Sequence, residues 1–154
     1  MRLGIASVVA FAFTLGVAQP ALAPYQAQPT ITAAASTADK ARDQLTTAKT
    51  HAGFAAGSGS LSSVHQHTGH ALNCLVGADD KRFDKKWGNV CEGQGSGVVA
   101  DLKAAGARGA DALKIAEESA KVGVETLSKT DLATAQNGAK KLSGMLDDAL
   151  KALR

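Results

Sequence analysis

At 154 residues the chain is long enough for one core, and with 4% aromatic residues that core must be built mainly from alanine and leucine. The formal net charge of +3 is spread over interspersed bases and acids with no basic block, which leaves no footprint for nucleic acid.

The first element is a secretory signal. Arg2 precedes a continuous apolar run from Leu3 to Val17, too short for a comfortable membrane span. Gly16-Val17-Ala18 and Ala21-Leu22-Ala23 both offer small residues for cleavage, but Pro24 disfavours the second. Residues 1–18 are therefore read as the signal peptide, with a cut as late as 23 as the alternative. No later apolar run is long enough to span a membrane, and no cysteine follows the first one to carry a lipid anchor. The expected location is the bacterial periplasm or the exterior.

Residues 19–35 contain Pro20, Pro24 and Pro29, the only prolines, and read as a disordered lead-in. Absence of proline from 36–154 suits one all-α domain, expected as an antiparallel four-helix bundle with one disulfide-tethered loop. Helix one is expected from about Thr37 to Phe54, capped by Ser36, with Ala38, Ala41, Leu45, Ala48 and Ala52 on its buried stripe. His51 lies beside that stripe. Glycines and serines from Gly53 to Ser60 form the turn that follows.

Helix two, Leu61 to Val76, carries three histidines within six residues. Stepping 100° per residue puts Val64, Thr68, Ala71, Leu72 and Leu75 on the buried face. His67, His70 and Cys74 share one flank of that face, and His65 falls on the other. His67 and His70 at i and i+3 supply two ligands of one ion. If helices one and two run antiparallel, His51 stands level with them as the third. Imidazole suits copper, nickel and zinc. The plainer alternative is that these histidines are solvated or satisfied within the core. The zinc-protease pattern, with a glutamate beside the first of two histidines at i and i+4, is absent.

Cys74 and Cys91 are the only cysteines. In an exported chain the pair reads as a disulfide, thiolate ligation beside His70 being the alternative. The bond would tie down a loop in which Phe83 and Trp87 are expected to form a small satellite apolar cluster. The glycines of CEGQGSG fit no phosphate-loop spacing and follow no strand, so they read as a turn into a helix.

Helix three is expected from Val98, capped by Ser96, through to Leu127. Val98, Leu102, Ala105, Gly109, Ala112, Leu113, Ala116, Ala120 and Gly123 lie on one face. Gly106 and Gly109 each weaken it by about 1 kcal/mol relative to alanine. Helix four runs from Thr130 or Asp131 to Leu153 on a stripe that includes Ala135, Ala139, Leu142, Leu146 and Ala149.

NCLVG, followed by CEGQGSG and Asp101-Leu102, resembles the core of small exported bacterial helical proteins, over roughly His51 to Leu102. The resemblance implies no activity. The CxxCH of covalent haem attachment is missing. Non-covalent haem would need a ligand such as Met145 on a facing helix, but Met145 falls off its stripe, so haem is not expected.

The first functional expectation is an exported bundle that binds copper, zinc or nickel through His51, His67 and His70 for buffering or delivery. The second is a structural or interaction module of the cell envelope, partnering another exported protein, with incidental histidines. No nucleophile–base motif is present and Glu117-Glu118 and Asp147-Asp148 fall on solvent-facing sides, so no enzyme is expected.

Overall fold

A computed structural model describes residues 29–153. The signal peptide and most of the expected lead-in lie outside the described residues. Those described are helical, with no strand among them. The α-helices are α1 (Pro29–Gly57), α2 (Leu61–Val76), α3 (Val98–Ala105), α4 (Ala110–Leu127) and α5 (Leu132–Ala152). Short 3-10 turns occupy Lys85–Trp87 and Gly106–Gly109.

α1 begins at Pro29 rather than near Thr37, so residues 29–35 are helical and Ser36 is not a cap. Proline is suited to a first helical position because its φ is preset and the missing N–H would have no partner there. α2 keeps its expected bounds. Ser60 caps it by accepting from the Ser63 N–H at 3.2 Å. Asp131 caps α5 in the same way, accepting from the Thr134 N–H at 2.9 Å.

The expected third helix is broken. Gly106 takes φ +62°, and the chain turns before α4 begins. Gly109 then lies against the Leu102 backbone, where a Cβ would come within 2.6 Å of the Leu102 carbonyl oxygen. The two glycines therefore do different work. One supplies the left-handed conformation and the other the close approach of the chain to its own preceding turn.

Capping of α3 also differs from expectation. Gly97, not Ser96, occupies the N-cap and offers no side chain. The orphan donors are met by two buried side chains instead. Gln44 Oε1 on α1 accepts from the Gly97 N–H at 2.8 Å, and Asp101 Oδ2 accepts from the Ser96 N–H at 3.0 Å. Gln44 Nε2 donates to the same Asp101 oxygen at 2.6 Å, which joins the two caps into one network.

α1 packs on α2, α3 and α5, while α4 packs on α2 and α5. Three contacts fix the register of α1 with α5. Arg42 donates to the Leu153 carbonyl, Lys49 pairs with Asp147, and Gln136 Nε2 donates to the Ser58 carbonyl at 2.8 Å. α4 and α5 meet through small residues: Gly138 lies under Thr126, and Gly123 under Leu72 and Leu142. Alanine and glycine at these positions let the helix axes approach.

The apolar stripes pack as their periodicity requires. Leu45, Leu75, Leu102, Leu142 and Leu146 are fully buried among alanines of the same helices. A smaller cluster of Ala55, Val64, Ala135 and Ala139 closes the end where α1 hands over to α2. Cys74 and Cys91 form a disulfide, with Cα atoms 5.4 Å apart and a sequence separation of 17. Phe83 packs on the main core, and the Trp87 indole lies on α2 at Gly69. The expected satellite cluster of these two rings is thereby replaced by separate attachments of the loop to the helices.

Candidate metal centre

α1 and α2 bring His51, His67 and His70 together. His51 Nδ1 stands 3.3 Å from His67 Nδ1 and 3.2 Å from His70 Nδ1. A ligand atom from each of the three fits within a span of 4.8 Å, and no other carboxylate or cysteine joins them among the described residues. The one-turn spacing of His67 and His70 aims both rings from one flank of α2. The short turn at Ser58–Ser60 brings His51 to their level.

The rings are packed edge to face. Centroids of His51 and His70 are 4.7 Å apart with planes at 83°, and those of His67 and His70 are 5.7 Å apart at 73°. His51 and His67 are tilted at 34°. Such an arrangement turns nitrogens inward rather than stacking ring faces. One in-plane Nδ1 of His51 faces two others, which gives it a single hydrogen or lone pair to share between two neighbours. A cation between the three would be met by a lone pair from each.

Electrostatics favour the ligand form. Burial lowers the pKa of His51, and repulsion from His70 and then His67 lowers it further. Burial also lowers that of His70, again helped by His67, while a backbone hydrogen bond with Trp87 opposes the shift. Neutral imidazole is the form that binds metal.

His65 stands apart as expected. Its Nε2 lies 3.0 Å from the Lys129 carbonyl oxygen, in the turn between α4 and α5. Two supporting residues escaped the sequence reading. Phe54, 54% exposed, sets its ring against His51 at 5.8 Å and His67 at 5.5 Å. It sits at i+3 from His51, so the 100° step that grouped the α2 histidines would have found it. Trp87 is the other, and nothing in a linear sequence ties residue 87 to residue 70.

Asn73 holds the Trp87 turn in place. Its amide donates to the carbonyls of Asp84 at 2.9 Å and Gly88 at 2.6 Å, and its oxygen accepts from the Asp84 N–H at 3.1 Å. No helix among the described residues is long and apolar enough to cross a membrane. Comparison with protein-family models, curated proteins and solved structures gives no match.

Proposed function

We propose that this chain is an exported, non-catalytic protein that binds a divalent transition metal ion through His51, His67 and His70, for buffering or delivery. The observation that carries this reading is the convergence of three Nδ1 atoms, two pairs of them 3.2 and 3.3 Å apart, on helices that sequence periodicity alone had aligned. Copper, nickel and zinc all accept imidazole nitrogen. The α1–α5 contacts and the hand-over from α1 to α2 support an antiparallel four-helix bundle in which α3 and α4 together form one leg. The leader-like run at Leu3–Val17 and the disulfide support a periplasmic or secreted location.

The test is calorimetric titration of copper, nickel and zinc into the untagged protein and into single alanine variants of the four histidines. The reading requires that His51→Ala, His67→Ala and His70→Ala each weaken binding while His65→Ala does not. Equal, small losses from all four variants would reduce the cluster to surface binding.

A further inference from the structure

We infer that the ion held by His51, His67 and His70 is tetrahedral zinc, with its fourth position open to solvent and exchangeable. This rests on the metal-site reading above. Ligand spacing bears on the choice of metal. Nitrogens about 2.0–2.1 Å from a tetrahedral ion lie about 3.3–3.4 Å from one another. Neighbouring nitrogens around a square-planar or octahedral ion at similar bond lengths lie closer, about 2.8–3.0 Å. Two of the three separations, 3.3 and 3.2 Å, stand near the tetrahedral edge, and the ligand atoms of all three lie within 4.8 Å of one another.

The donor set agrees. Zinc sites with three histidines and a water are open sites, whereas closed structural sites draw a fourth ligand from the protein, commonly a thiolate. Here the thiolates are consumed, since Cys74 and Cys91 are bonded to each other. No carboxylate joins the three histidines among the described residues. The next ring along, Phe54, carries no donor atom. All three histidines are only partly buried, so water reaches the ion directly. The chemical class that fits the fourth position is a single monodentate donor: water at rest, or an azide, imidazole or thiolate brought from outside.

An open position also fits transfer. An ion held by three ligands can accept a fourth from an incoming acceptor before any histidine lets go, so release need not pass through a bare ion.

The experiment is substitution with cobalt(II), whose four-coordinate form absorbs visible light strongly and whose six-coordinate form does so weakly. The expected result is a strong band that saturates at one equivalent and disappears when one equivalent of zinc is added. It should shift when azide is added and be absent from His67→Ala protein with unchanged helical circular dichroism. X-ray absorption of the zinc form should show four light-atom neighbours. A weak six-coordinate spectrum, or five or six neighbours around zinc, overturns the tetrahedral assignment. It leaves the histidine site standing if His67→Ala still abolishes binding. A strong band indifferent to azide and imidazole overturns the open position. Failure to take up cobalt, zinc, copper or nickel overturns the site itself.

Discussion

The Trp87 indole fills the space that a side chain at Gly69 would need. Gly69 lies between His67 and His70 in sequence, so the loop ring and two histidine rings crowd one stretch of α2. Gly69→Ala should push Trp87 away, with an overpacking cost of about 1–3 kcal/mol. Thermal or urea unfolding would measure the stability loss. Metal titration should show weaker binding at the same time, because displacement of Trp87 takes its backbone from His70. A variant as stable as the parent would mean that the ring moves aside without cost.

Loss of the disulfide should be felt as stability rather than as fold. A crosslink spanning 17 residues contributes about 3 kcal/mol in the chain-entropy model. The double variant Cys74→Ser, Cys91→Ser should therefore unfold at lower denaturant with its helical circular dichroism preserved. Labelling of the native parent should find no free thiol.

Gln44→Ala should destabilise more than an ordinary surface change on α1. It removes the acceptor of the Gly97 N–H, which is left buried and unpaired, and one of two donors to Asp101, which keeps the Ser96 N–H. An unpaired buried group costs about 1–3 kcal/mol. Denaturant midpoints for Gln44→Ala and for a control such as Thr50→Ala would decide it. Hydrogen exchange should also quicken first at the start of α3.

Acid should weaken the metal-free protein. The folded-state pKa values of His51 and His70 lie below the ordinary histidine value, so the unfolded chain takes up protons first as pH falls. Their contribution is complete above about pH 6.5 and is lost as pH falls through the lowered folded-state values. Denaturant midpoints measured from pH 7.5 to pH 5 should decline, and the decline should be shallower in the His51→Ala, His70→Ala double variant. Bound metal steepens the same trend, because protons compete for the ligand nitrogens.

Most of this architecture follows from short-range rules. The buried faces of α2 and α5 come from a 3.6-residue period, whereas the caps expected from residue type, Ser36 and Ser96, do not cap their helices. The histidine trio was also legible, because His67 and His70 share a helix and His51 is separated from them by a single tight turn. Apart from the start of α1 at Pro29, what escaped depends on partners distant in sequence. Gln44 and Asp101 are 57 residues apart, and no local pattern says that a glutamine on α1 caps α3. The break at Gly106 was visible only as a cost. That Gly109 must touch Leu102 is a tertiary fact, and it converts a weakened helix into a corner.

Gly77 and Gly97 meet backbone to backbone, at φ +78° and +108°, so the loop leaves the helices and returns to them at one point. The segment between is closed at this neck and fastened to α2 and the core by Asn73, Phe83 and Trp87, yet it exposes Lys81 and Lys85. A protease cutting after either lysine would sever the chain between Cys74 and Cys91 without parting the pieces, which the disulfide would keep covalently joined. Such a molecule would migrate as a single intact species until a reductant was added. The chain could thus be opened at exposed lysines of this loop while the helices on either side stay assembled.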